Sequence, residues 1–359
     1  MSPSGAASGL RVAVVGATGA VGTVMLRLLR SRAFPAAEIV PFASARSVGR
    51  ELEGGLVVQP LDDETIQGFD VALFSAGATR SRDWAQRFVD AGAVVVDNSS
   101  AFRMVDEVPL VVSEVNPEAL DAHSGIVANP NCTTMVAMLP LKALHDEFSL
   151  VSMVATSYQA AGGAGQSGID ELAAQVGPLA GDVPQLCDDG AAAAAKVSHT
   201  VHHATLAFNV VPLLGTLGED DHTDEERKLR DESRKILGLS GLAVSPLCVR
   251  VPVMVGHGVA VRATFEREVD VDRALEVLTA FPGMVLDDIP TPLEYAGRDE
   301  VAVGRVRSDL ADPRFTLNFF VVGDNLLKGA ALNTVQLAEE LVARALVGSA
   351  GSARRASAA

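Results

Sequence analysis

Basic residues are in short supply. The 359-residue chain carries 29 Lys and Arg against 45 Asp and Glu, a net charge of −16. So acidic a surface repels a polyphosphate backbone and excludes nucleic acid as the expected partner, although a few local Arg and Lys can still hold a small anion. Long apolar runs are missing too. Nothing approaches 18 consecutive apolar residues, so no membrane span is expected. The opening MSPSGAASGL lacks the basic region and apolar core of a signal peptide. The only cysteines are Cys132, Cys187 and Cys248, too few for a disulfide framework and in keeping with a reducing cytoplasm. There is no internal repeat. What remains is 48% hydrophobic and 21% charged, which excludes disorder over the whole length. A chain of this size suggests about two domains.

The first structured segment, Leu10–Val15, is short, apolar and rich in Val, like a parallel strand buried on both faces. A glycine-rich turn follows, then a helix with Val24, Leu26, Leu28 and Leu29 on its apolar face. Further short apolar runs at Glu38–Ala43, Val71–Ser75, Ala93–Asp97 and Gly125–Ala128 alternate with helical or loop stretches such as Thr79–Ala91. This βαβ alternation predicts an α/β, doubly wound parallel sheet over about the first 130 residues. The pattern then changes to longer strands, Val151–Tyr158, Leu206–Val211, Cys248–Val255, Gly258–Glu266 and Phe315–Val322, which predict a mostly antiparallel α+β domain. A closing amphipathic helix, Leu326–Ala345, can pack back on the first domain. The expected division is 1–131, completed by the helix within 325–347, then 132–324, with a disordered tail at 348–359.

Gly16, Gly19 and Gly22 follow the first strand and open the first helix. Glycines there permit a tight turn and close backbone approach to a pyrophosphate, which the helix start holds with free N–H groups. The alternative is a glycine turn needed only for packing. After the second strand comes Ser44-Ala45-Arg46-Ser47, where a dinucleotide fold reads its ribose. Arg46, helped by Ser44 and Ser47, reads as an NADP selector; a solvated surface Arg is the rival reading.

Asn129-Pro130-Asn131-Cys132-Thr133-Thr134 precedes a helical pattern. Asn131 is a plausible N-cap and Cys132 then sits in the first turn, where the helix start favours a thiolate and can hold an oxyanion. Pro140 is expected to kink this helix. An inert buried cysteine is the bland alternative, and Cys187 and Cys248 are read that way. A nucleophilic cysteine needs a proton acceptor, and His257, between Gly256 and Gly258, has the open setting for it. His199, His202 and His203 lack partners at ligand spacing, so no metal is expected. His123 and His145 read as exposed helix residues. Arg250 stands in an apolar strand run, as a carboxylate clamp or a structural ion pair. Arg103 follows the strand end at Asp97, at an edge where ligands gather. Glu232 and Lys235 share one face of a charged helix, Glu225–Leu237, which alone reads as a solvated pair.

Together GATGAVG, SARSVG, DNSSAFRM, EVNP, NPNCTT, SYQAAGGAG, CVRVPVMVGHG and GDNLLKGAA, in that order, resemble bacterial aspartate-β-semialdehyde dehydrogenase over nearly the whole chain. The resemblance implies a Rossmann-type NADP-binding domain and a catalytic domain through which a homodimer forms. It implies NADPH-dependent reductive dephosphorylation of L-aspartyl 4-phosphate to aspartate semialdehyde, in lysine (through diaminopimelate), threonine, methionine and isoleucine biosynthesis. By the same resemblance Cys132 is the nucleophile forming a thioacyl enzyme and His257 the acid/base. Gln159 orients the substrate beside Asn131, Arg250 clamps its carboxylate, and Glu232 meets its amino group. Arg103 and Lys235 bind phosphate. Gly16, Thr18, Gly19, Ala20, Val21, Ser44, Arg46, Ser47, Gly162, Gly163 and Asn325 contact the cofactor. The segment Gly181–Val201 matches no motif. The rival readings are an N-acetyl-γ-glutamyl-phosphate reductase and a non-catalytic dinucleotide sensor.

Overall fold

The computed structural model describes residues 9–348. The expectations for the opening residues and for the tail beyond Gly348 fall outside them. The chain divides into two compact units, residues 9–130 with 330–348, and Asn131–Gly329.

In the first unit, β1 (Leu10–Val15), β2 (Ala36–Phe42), β5 (Val71–Phe74), β6 (Val94–Asp97) and β7 (Ile126–Ala128) form one parallel sheet in the order β2-β1-β5-β6-β7. A two-residue hairpin, β3 (Glu51–Leu52) and β4 (Leu56–Val57), lies on the return path from β2. Helix α1 (Ala20–Ser31) joins β1 to β2, and α2 (Ala78–Asp90) joins β5 to β6. The chain leaves β1 toward β2 and resumes on the other side at β5. The carboxyl ends of these strands therefore flank a switch in winding direction, the usual place for a ligand. The strands are Val-rich because both faces are covered; Val12–Val15 and Val71–Phe74 are all buried. The last helix, Leu332–Ala343, packs on α1, β5 and β6. Asn333 in it donates to Asn129 Oδ1 (2.7 Å) and to the Val111 carbonyl (3.0 Å). It is shorter than the sequence pattern suggests, because Leu327–Ala331 forms a π-helical turn ahead of it.

The second unit opens with α3 (Cys132–Phe148) and β8 (Leu150–Gln159). After β8 come α4 (Gln166–Ala180), the short α5 (Val183–Asp188) and α6 (Gly190–Ala194), and α7 (Asp224–Leu237). Then follow β9 (Ala243–Arg250), β10 (His257–Phe265), α8 (Val271–Ala280), β11 (Met284–Leu286), α9 (Pro292–Tyr295), β12 (Val301–Ser308) and β13 (Thr316–Gly323). Its sheet, ordered β11-β12-β13-β10-β8-β9, has three antiparallel and two parallel pairings. One face is covered by α3 against β8, β10 and β13. The other leaves Val154, Tyr158 and Leu247 exposed.

Three local expectations fail. Leu206–Val211 is not a strand. Gln175 Oε1 accepts from the N–H groups of Leu206 and Ala207, and the chain turns at Phe208, whose φ of 57° no strand permits. The run at Cys248–Val255 belongs to a strand that starts earlier and ends at Arg250. His123 and His145 are not exposed helix residues. Their Nδ1 atoms accept from the N–H groups of Gly125 (3.0 Å) and Leu150 (3.1 Å), and His123 is buried. Helix α3 continues through Pro140 to Phe148.

Candidate functional site

In the first unit, β1 ends at Gly16, whose φ of 90° suits only glycine. A Cβ there would stand 2.2 Å from the Ser75 carbonyl oxygen. A Cβ on Gly22 would meet the Gly16 oxygen at 2.2 Å, so Gly22 lets α1 sit close on the strand. Gly19 precedes α1 without any side-chain cap, which leaves the first-turn amides open to an anion. Gly16, Thr18, Gly19, Ser44, Ser75 and Arg80 line a cleft of about 250 Å³. Ala20 and Val21 begin the helix, and Arg46 and Ser47 lie in the exposed turn after Ser44. Arg80 was not foreseen: its exposed place in the first turn of α2 gives no sequence pattern. The glycine cradle and these cations fit a dinucleotide phosphate.

Arg103 is also in this unit. Asp97 at the end of β6 is fully buried and accepts from Ser81 Oγ and Ser99 Oγ, both at 2.7 Å, which shapes the loop that follows. Burial pushes the Asp97 carboxyl pKa up, against the pull of these serines. Arg103 then reaches back, with Nε to the Asn129 carbonyl (2.9 Å) and Nη2 to the Asn98 carbonyl (2.9 Å). It is buried and fixed from two sides.

The second unit brings the other expected residues together through strand register. Gln159 and Arg250 are paired at the parallel ends of β8 and β9, and β10 starts with His257 antiparallel to that end of β8. All three are buried. A Cβ on Gly163 would lie 2.7 Å from Arg250 Nη1 and 3.3 Å from His257 Cε1, so these two side chains meet over a glycine. Arg250 Nη1 donates to the Ala160 carbonyl (2.7 Å) and Gln159 Nε2 to Ser157 Oγ (3.1 Å). Gly162 donates its N–H to the Met254 carbonyl, and Asn325 Oδ1 accepts from the Gly256 N–H at 2.8 Å. The expected cofactor contacts thus fall into two sets, one in each unit.

Cys132 begins α3, and its Sγ lies 3.2 Å from His257 Nε2. Asn131 caps the helix, its Oδ1 accepting from Thr133 N (2.9 Å) and Thr134 N (3.3 Å). Those two amides are therefore committed to the cap. His257 Nδ1 accepts the Ala160 N–H (3.1 Å), which assigns the ring proton to Nε2 and aims it at the sulfur. Burial, then the charge of Arg250, push the His257 pKa down to about 3. In this tautomer the ring is neutral and its Nε2–H faces the sulfur. Cys132 is partly exposed, whereas Cys248 is buried and its thiol pKa is pushed up to about 12, chiefly by burial. Cys187 is exposed, on α5.

Helix α7 presents Glu232, whose Oε2 accepts the Asn131 N–H at 2.6 Å. It is 1% exposed, not the solvated carboxylate its pairing with Lys235 suggested. Lys235, one turn on, is partly exposed, in the unit that does not contain Arg103. Sequence reading missed Glu225, which accepts from Asn131 Nδ2 at 2.8 Å. It also missed Gly329, where a Cβ would stand 2.9 Å from Cys132 Cβ. Glu225 lies two helical turns before Glu232, a spacing that puts both on one face. Among the described residues no His, Cys, Asp and Glu group has metal-site geometry, and no helix is long and apolar enough to cross a membrane.

Each unit matches a semialdehyde dehydrogenase family model. Residues 11–123 match the semialdehyde dehydrogenase NAD-binding domain, and residues 141–328 the semialdehyde dehydrogenase dimerisation domain. The aspartate-semialdehyde dehydrogenase of Streptomyces akiyoshiensis is 51% identical over 94% of this chain and 100% of its own. The crystal structure of aspartate semialdehyde dehydrogenase II from Vibrio cholerae, complexed with ASA, superposes with a TM-score of 0.86 at 38% identity, over 93% of this chain and 98% of that one. That of the Candida albicans enzyme with NADP gives 0.70 at 25%, over 94% and 100%. A parallel sheet with an uncapped glycine turn, a cysteine–histidine pair in a second sheet-bearing unit, and full-length similarity at this level agree: the chain belongs to the aspartate-semialdehyde dehydrogenase family.

Proposed function

We propose that this chain catalyses its family's reaction, the reductive dephosphorylation of L-aspartyl 4-phosphate to L-aspartate 4-semialdehyde, with Cys132 as the nucleophile. The observation that carries the reading is the 3.2 Å pairing of Cys132 Sγ with a buried, neutral His257 whose Nε2–H faces it. Arg250 holds the substrate carboxylate with the donors not engaged by Ala160. Gln159 orients the acyl group, Glu232 receives the amino group, and Arg103 with Lys235 takes the phosphate. The glycine turn with Ser44, Arg46 and Ser47, together with Gly162, Gly163 and Asn325, holds NADP, with Arg46 on the 2′-phosphate.

Cys132 thiolate adds to the acyl carbon, and the carbon–oxygen bond to phosphate breaks, leaving a thioester. The departing phosphate takes its proton from solvent. NADPH, when bound, supplies a hydride to the thioester carbon. The resulting oxyanion expels the cysteine sulfur as thiolate and leaves the aldehyde. In each tetrahedral state the His257 Nε2–H donates to the negative oxygen or sulfur. The proton count closes without His257 ionising, as a neutral electrophilic imidazole requires. This work suits a homodimer in a reducing cytoplasm; the apolar face with Val154, Tyr158 and Leu247 is the proposed dimer surface. The test is NADPH formation from aspartate semialdehyde, NADP and phosphate. Formation that needs phosphate and Cys132 supports the reading; formation by Cys132→Ala overturns it.

A further inference from the structure

Helix α7 reaches the nucleophile through one residue, and it does so twice. Glu232 accepts the backbone N–H of Asn131 and Glu225 accepts its side-chain N–H, at 2.6 and 2.8 Å. An asparagine carboxamide has two orientations of nearly equal shape, and only one turns its oxygen toward the amides of Thr133 and Thr134. The other would point Nδ2 at two N–H donors. Glu225 selects between them, because a carboxylate can only accept. It is buried, and Lys228 Nζ, 3.2 Å from Glu225 Oε2 and 2.6 Å from Asp224 Oδ2, holds the carboxylate from its far side. The capping box of Thr223 and Glu226 fixes the start of α7, so Glu225 is presented from a rigid turn.

We propose that Glu225 is a positioning residue of this enzyme, which locks the Asn131 carboxamide in its capping orientation and thereby keeps the sulfur of Cys132 reactive. A lost or reversed cap frays the first turn of α3, and with it the helix-end field on the sulfur. The inference rests on Cys132 being the nucleophile.

The experiment follows iodoacetamide alkylation of Cys132 against pH, by mass spectrometry of the Cys132 peptide, which separates it from exposed Cys187. Three proteins are compared: the natural chain, Glu225→Gln and Glu225→Leu. Both variants remove the same charge, but glutamine keeps an acceptor and leucine does not. The pH midpoint in Glu225→Leu is expected to lie about half a unit to one unit above that in Glu225→Gln, with a roughly three- to tenfold loss of kcat/KM at pH 7 relative to Glu225→Gln. Should the leucine variant fail to fold, Glu225→Ala takes its place. Equal midpoints for the glutamine and leucine variants overturn the proposal. Retained turnover in Cys132→Ala would instead overturn the nucleophile reading itself.

Discussion

The turn from β1 into α1 and the turn from β7 into α3 are the same kind of connection, built from opposite materials. At Gly16–Gly19 no side chain caps the helix, a glycine adopts positive φ, and the first amides stay open. At Asn131–Cys132 a side chain fills the cap, two carboxylates hold the cap residue, and the committed amides belong to the protein itself. An anion brought by a ligand needs donors left open. A nucleophile needs its helix start closed and rigid, so that the sulfur is the reactive group at that end.

The largest effect is expected from Cys132→Ala, with turnover falling by about 10⁴-fold or more while NADP binding, read by calorimetry, stays as it was. Appreciable residual turnover would remove the second turn from the comparison. Exchanging materials tests the first. Gly19 has an ordinary extended backbone (φ −80°, ψ 166°), and a Cβ there would stand 3.3 Å from the Gly16 carbonyl oxygen, so Gly19→Asp asks that turn to give by a few tenths of an ångström. Its carboxylate should cap α1 and repel phosphate, raising the NADPH KM by roughly 100-fold. An unchanged KM would mean that the open amides are not the anion site. Arg46→Ala should raise the NADPH KM about tenfold with kcat nearly unchanged, since an exposed Arg contributes one charge-assisted contact. An unchanged KM would argue against 2′-phosphate recognition there.

The smallest effect concerns pH. His257 has a folded pKa of about 3, below the ordinary value of 6.5. The unfolded chain therefore takes up this proton first as pH falls. The stability that rests on a neutral His257 is present above pH 6.5 and lost progressively as pH drops toward 3, at most about 1.4 kcal/mol per pH unit. Urea unfolding at pH 7 and pH 5 should show a shallower decline in His257→Asn. Equally, kcat in the natural protein should have no acid limb near pH 6.5 from this residue.

Much of this was legible in sequence because it is local. The Val-rich strands, the glycine turn and the Asn131 cap are each set by a few neighbouring residues, and they appear where expected. Leu206–Val211 was misread because Gln175, more than thirty positions earlier, takes the amides a strand would have used. The tautomer of His257 could not be read either: it depends on the Ala160 N–H, a partner 97 positions away. Glu232 looked like half of a solvated ion pair, since spacing within a helix is silent about what packs on it. Gly329 sat in a quoted motif without a reason until its contact with Cys132 supplied one.

The proposed reaction turns on covalent chemistry at one sulfur. The most direct measurement is a rapid-mixing experiment with aspartate semialdehyde and NADP in the absence of phosphate. It should give a burst of one NADPH per site, with the acyl group found on the Cys132 peptide and the burst abolished in Cys132→Ala. A full burst in that variant, or an acyl group recovered on any other residue, would contradict it.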